Sequence, residues 1–134
     1  MIFELLKEIE KEVNRDEYIA YGASYFLSVE DLRFKITDIT SLEQLFVKLE
    51  ADIGETSVNP TEITDRSADF NMINDLWHIK DEIFGSLMNI INDADAYYRP
   101  FDKDDVISRG NVNDIFRVLK KGDELVLIEF YACD

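Results

Sequence analysis

A chain of 134 residues, 46% of them hydrophobic and 12% aromatic, is long enough for one domain with its own core and too apolar to stay disordered. Its 29 acidic against 14 basic side chains leave a formal net charge of −15. That balance argues against free nucleic acid or an anionic membrane as partner and favours a basic protein, unless the acidity serves solubility alone.

A single cysteine, Cys133, excludes an internal disulfide framework, and no run approaches the roughly 18 apolar residues of a membrane span. The expected compartment is therefore the reducing cytoplasm. Ile2 to Asn14 sets Ile2, Leu5, Leu6, Ile9 and Val13 on one face among charged neighbours. This predicts an amphipathic helix without the apolar stretch of a signal peptide.

Tyr18 to Leu27 is rich in aromatic residues and reads as a strand, with a bulge or close backbone approach at Gly22. Residues 28–31 read as a turn. Leu32, Phe34 and Ile36 then alternate with Arg33, Lys35 and Thr37, predicting a second strand paired with the first in an antiparallel hairpin.

Thr40 and Glu43 have the spacing of a capping box, and Leu42, Leu45, Phe46, Leu49 and Ile53 follow at helical spacing up to Gly54. Glu55 to Ser67, with Asn59–Pro60 inside it, reads as a loop. From Ala68 to Tyr98 the apolar residues recur three and four apart, which predicts the longest helix of the chain, capped at Ser67 or Asp69 and ended by Pro100. Run straight it would measure about 45 Å at 1.5 Å per residue. A break near Gly85, fraying after Asn92 or a projecting end is therefore expected.

Val112, Ile115, Phe116 and Leu119 predict a short helix capped at Asn111 or Asn113, with Lys120 and Lys121 in its last turn and Gly122 after it. Leu125 to Tyr131 is a nearly continuous apolar run and predicts a buried strand. Together these elements predict an α+β fold, with amphipathic helices packed on a small, mostly antiparallel sheet in a single domain over residues 1–134.

The residues offer little for catalysis. His78 is the only histidine and no glycine-framed serine accompanies it, so no nucleophile and base pair is assigned and the chain is not expected to be an enzyme. Asp75, His78 and Glu82, at i, i+3 and i+7 of one predicted helix, could converge on a metal, but no second histidine completes a set. Asp93, Asp95, Asp102, Asp104 and Asp105 suggest calcium but miss the EF-hand register, because Tyr98 stands where glycine is required and Asp104 where glutamate is. No cofactor or metal is assigned.

Aromatic residues among carboxylates are more suggestive, because interfaces for basic proteins combine aromatic anchors with acids that steer the encounter. Asp93, Asp95, Tyr97, Tyr98, Asp102, Asp104 and Asp105 form the expected contact surface. The leading expectation is a stoichiometric inhibitor or immunity protein that blocks the substrate-binding surface of a basic partner such as a nuclease toxin. The alternatives are a nucleic-acid-mimicking inhibitor of a defence or regulatory protein, a small metal-dependent enzyme or subunit using Asp75, His78 and Glu82, and an adaptor whose long helix is an oligomerisation face.

Overall fold

The computed structural model of the protein describes residues 1–15, 19, 20, 22–33, 35, 36, 38–48, 57–101, 106–109 and 112–133. It is α+β: helices packed on a mostly antiparallel sheet, as expected. The helices are α1 (Ile2–Arg15), α2 (Leu42–Lys48), α3 (Arg66–Trp77) and α4 (Asp81–Asp93). The strands are β1 (Ile19–Ala20), β2 (Ala23–Asp31), β3 (Val58–Glu62), β4 (Ala96–Phe101), β5 (Ile107–Arg109), β6 (Val112–Lys121) and β7 (Glu124–Cys133). Strand order is β1-β2-β7-β6-β4-β3, with β5 also pairing β6, and every described pairing is antiparallel.

Side-chain alternation sends each central strand to two cores. Ile115, Leu119, Val126, Ile128 and Phe130 face α1, α3 and α4, meeting Leu6, Phe70, Ile73, Trp77 and Leu87. Phe116, Val118 and Leu127 face the other way, onto Leu42, Leu45 and Phe46 of α2. With α1, α3 and α4 on one side, the helical side, and the shorter α2 on the other, β6 and β7 are buried on both faces and lose the hydrophobic alternation that would mark a strand.

That burial explains the largest correction. Residues 112–119, expected as a helix, are strand β6, and Lys121 pairs with Glu124 across a two-residue turn at Gly122–Asp123. Gly122 has φ +59°, a conformation that suits glycine in a tight hairpin. The apolar residues of Ile115–Leu119 mimicked helical spacing because they lie on both faces of the strand, around the buried Arg117. Leu125 to Tyr131 is a buried strand as expected, extended to Glu124–Cys133.

The predicted helix over 68–98 is two helices and a strand. It breaks at His78, not at Gly85, and His78 takes a left-handed conformation (φ 49°, ψ 56°) as the cap of α3. Asn74 secures the corner, its carbonyl accepting from the His78 amide and its Oδ1 from the Ile79 amide at 3.1 Å. Asp65, rather than Ser67 or Asp69, caps the start of α3 by accepting from the Ala68 amide at 3.1 Å. After Ala94 the chain becomes β4, where Tyr97 and Tyr98 suit a pleated strand better than a helix. Pro100 lies opposite the register shift between Val58 and Thr61 of the edge strand β3, so its missing N–H does not interrupt a regular ladder.

The N-terminal half shows smaller corrections. Helix α1 matches its expectation, although Leu5 is exposed. Gly22 (φ 77°) lies in the tight connection between β1 and β2, and residues 28–31 continue β2 instead of turning. On its long side β2 pairs with β7 over Ser24–Asp31, where a hairpin with residues 32–37 was expected; the described residues of that stretch, Leu32, Arg33, Lys35 and Ile36, are not strand, and Phe34 and Thr37 lie outside the described residues. Asp38, not Thr40, caps the turn of 3-10 helix Ile39–Ser41 that leads into α2, because its carboxylate accepts from the Thr40 amide at 2.9 Å. Leu49, Ile53 and Gly54 lie outside the described residues. The expected loop over 55–67 contains strand β3.

Beyond the short β1, the outer edge of β2 is closed by side chains of α1. Asn14 donates to the Leu27 carbonyl (2.9 Å) and accepts from its amide (3.0 Å), while Glu10 accepts from the Val29 amide (2.6 Å). Side chains here take the place of an edge partner.

The left-handed corner predicts an order of stability. Of two variants that both lack the imidazole, His78→Val should be less stable than His78→Gly by about 1–2 kcal/mol in denaturant unfolding, because a β-branched residue is strained there and glycine is not.

Candidate functional site

The expected contact residues divide. Asp102, Asp104 and Asp105 lie outside the described residues. Tyr97 is fully buried on the helical side of the sheet and so cannot anchor a partner. Tyr98 points to the opposite side and is half-buried.

Asp93 and Asp95 are exposed but employed. The Lys121 ammonium donates to the Asp93 carbonyl at 2.9 Å and lies 3.3 Å from its carboxylate. The Asp95 amide donates to the Lys120 carbonyl (2.8 Å), and its carboxylate accepts from the Gly122 amide (2.7 Å). These contacts clamp the junction of α4 and β4 to the β6–β7 turn.

The same turn borders a recess of about 350 Å³ whose lining includes Tyr98, Asp38, Lys120, Gly122, Asp123 and Leu125. Asp38 and Asp123 are exposed carboxylates. Hydrogen bonds from the Thr40 hydroxyl and amide hold the Asp38 carboxyl below its ordinary pKa, so it is an anion at neutral pH. Folding therefore gathers Asp93, Asp95 and Tyr98 with Asp38 and Asp123 at one end of the sheet. Sequence reading missed Asp38 because the capping role was given to Thr40, and missed Asp123 because the hairpin turn was read as a helix end.

On the helical side of the same sheet lies a buried polar network. Arg117, fully buried, donates from Nε and Nη2 to the two carboxylate oxygens of Asp69 at 3.0 and 2.8 Å, and from Nη1 to the Phe116 carbonyl at 2.8 Å. The Tyr97 hydroxyl donates to the same carboxylate. Burial pushes the Tyr97 phenol far above its ordinary pKa; the nearby Arg117 charge opposes this, and Asp69 reinforces it by charge and hydrogen bond. A phenol locked neutral in this way is a structural donor.

Asp75, His78 and Glu82 do not share a helix. Asp75 is exposed on α3, His78 forms the corner with its ring edge-on to Tyr25 (centroids 5.6 Å apart), and Glu82 is exposed in the first turn of α4. Among the described residues no group of three or more histidine, cysteine, aspartate or glutamate side chains is placed to hold a metal ion. No helix among them is long and apolar enough to cross a membrane. Cys133 is half-buried at the end of β7.

Comparison of the chain with protein-family models, curated proteins and solved structures finds no match in any of the three.

The raised Tyr97 pKa sets an alkaline limit on stability. The contribution is complete below the unfolded phenol's pKa of about 10 and is lost progressively above it, where only the unfolded chain ionises, by up to about 1.4 kcal/mol per pH unit. Tyr131 is also raised, by burial and then by the Glu129 charge, so the parent must be compared with Tyr97→Phe to isolate one group. Above pH 10, unfolding free energies of the parent should fall more steeply than those of the variant.

Proposed function

We propose that this chain is an acidic stoichiometric binding protein of the immunity or inhibitor type, which neutralises a basic protein partner by covering its substrate-binding surface. The observation that carries this reading is the recess beside the β6–β7 turn, where the half-buried ring of Tyr98 lies among the exposed carboxylates of Asp38 and Asp123, which outnumber Lys120, the one lysine among the described residues of the lining. An aromatic wall with anionic neighbours suits the apolar stem and charged head of a lysine or arginine side chain. The net charge of −15 would accelerate its arrival by long-range steering.

This placement keeps Tyr98 from the expected surface and adds Asp38 and Asp123. Asp93 and Asp95 belong to its frame, since their clamps on Lys121 and Gly122 hold the turn in position. Helices α3 and α4 add exposed carboxylates at Asp75, Asp81 and Glu82 to the general field.

Affinity purification on the immobilised protein at low salt, followed by titration with the captured protein, tests the reading. The expected partner is basic, binds one to one, associates more slowly as salt rises and loses activity when bound. Asp38→Asn combined with Asp123→Asn should weaken binding about tenfold, at roughly 0.7 kcal/mol for each exposed charge contact. Retention of an acidic partner, or a salt-independent association rate, would count against it.

A further inference from the structure

A second cavity of about 350 Å³ lies on the helical side of the sheet, between the C-terminal turn of α3 and the paired ends of β6 and β7. We propose that it is a binding site for a neutral, two-ring, mainly hydrocarbon ligand that carries one hydrogen-bond acceptor. It is distinct from the recess at Tyr98, which lies at the other end of the β6–β7 hairpin.

The wall is carbon. Trp77, Ile115 and Phe130 line it and are nearly fully buried, with Ala132 beside them. The Trp77 ring meets Phe130 edge to face, centroids 5.0 Å apart, and Phe130 meets Phe70 in the same way at 5.8 Å. The indole N–H already donates to the Phe26 carbonyl at 2.8 Å, so what Trp77 offers a ligand is its apolar ring. Such a wall is preformed and binds without reorganising. Leu76, about half exposed at 47%, borders the opening.

Size sets the ligand class. An apolar cavity of about 150 Å³ holds benzene, so one more than twice as large takes two fused rings. Asn113 supplies the polar contact: its Oδ1 accepts from Ser108 Oγ at 2.7 Å, leaving the Nδ2 hydrogens for an acceptor such as a carbonyl. No charged side chain is among the described residues of the lining, so an ionised ligand would find no counter-ion. The exposed carboxylate of Asp75 beside Leu76 and the net charge of the chain disfavour anions further.

The probes are 1-indanone, its hydrocarbon parent indane, and the anionic indane-2-carboxylate, titrated into the whole protein by calorimetry. The emission of Trp77, the chain's single tryptophan, gives a second readout. Saturable one-to-one binding of 1-indanone with a Kd of about 1 mM or tighter is expected, with indane several-fold weaker and the carboxylate not bound. Asn113→Ala should abolish the preference for indanone over indane. Ala132→Leu, which fills the cavity, should abolish binding of both while retaining the native circular dichroism spectrum. Ile115→Phe provides the same test if the first variant does not fold. Absence of saturable indanone binding, equal binding of the carboxylate, or indanone affinity unchanged in a folded cavity-filling variant would each overturn the proposal.

Discussion

The guanidinium of Arg117 is fully buried in the centre of the sheet, and the arrangement of the helical layer depends on how it is satisfied. A charge in that position without a partner costs several kcal/mol, so the fold is acceptable only when a carboxylate arrives with matching geometry. Asp69 meets the requirement with both oxygens from the first turn of α3. This fixes α3 along and around its axis against β6, and with it the position of Trp77 two turns later. Tyr97 makes the same carboxylate answer to β4 as well, so one anion links a helix to two neighbouring strands. Apolar packing contributes more free energy, at about 1.5–3 kcal/mol for each large side chain buried, but it specifies position less sharply than a two-pronged hydrogen bond.

Much of the polar chemistry of the chain serves the same purpose of completing backbone that the ladders leave unpaired. Arg66 at the start of α3 donates to the Ile91 and Ala94 carbonyls at 2.6 and 2.7 Å, capping the C-terminal end of α4 with a cation where the helix dipole favours one. Glu124, from β7, accepts from the Ile2 and Phe3 amides at 3.0 and 3.3 Å and so caps α1. Glu10 and Asn14 close the edge of β2, and Asp95 holds the Gly122 amide. The net charge of −15 therefore overstates the acidity available to a partner. The carboxylates best placed to act on one are Asp123 beside Tyr98 and the exposed Asp75, Asp81 and Glu82 of α3 and α4, together with Asp38, which remains exposed while it accepts from Thr40.

How much of this was legible in the residues depended on whether one face or two were buried. Helix α1 could be read almost to the residue, because only one of its faces meets the core. The β6–β7 hairpin was half legible. Its second strand is an unbroken apolar run, but the first carries Asp114 and Arg117, and together with two-sided burial these gave it a helical rhythm. A charged residue inside the run Ile115–Leu119 was the available signal that a buried partner had to exist. Its identity, 48 positions earlier, was not accessible to local pattern. The break at His78 had no glycine or proline to announce it, and the corner is specified instead by Asn74. Of the candidate site, the acidic and aromatic character of residues 93–98 was visible, whereas the alternation that buries Tyr97 and turns Tyr98 outward required knowing that the segment is a strand.

The Asp69–Arg117 pair is most directly tested by a double-mutant cycle in denaturant unfolding with Asp69→Leu, Arg117→Met and the two combined. If the pair is the constraint that seats α3 on the sheet, each single variant loses about 3–5 kcal/mol because it strands a buried charge, and the double variant loses less than either alone. Losses that add to within about 0.5 kcal/mol would show that the two side chains act independently and would contradict the account.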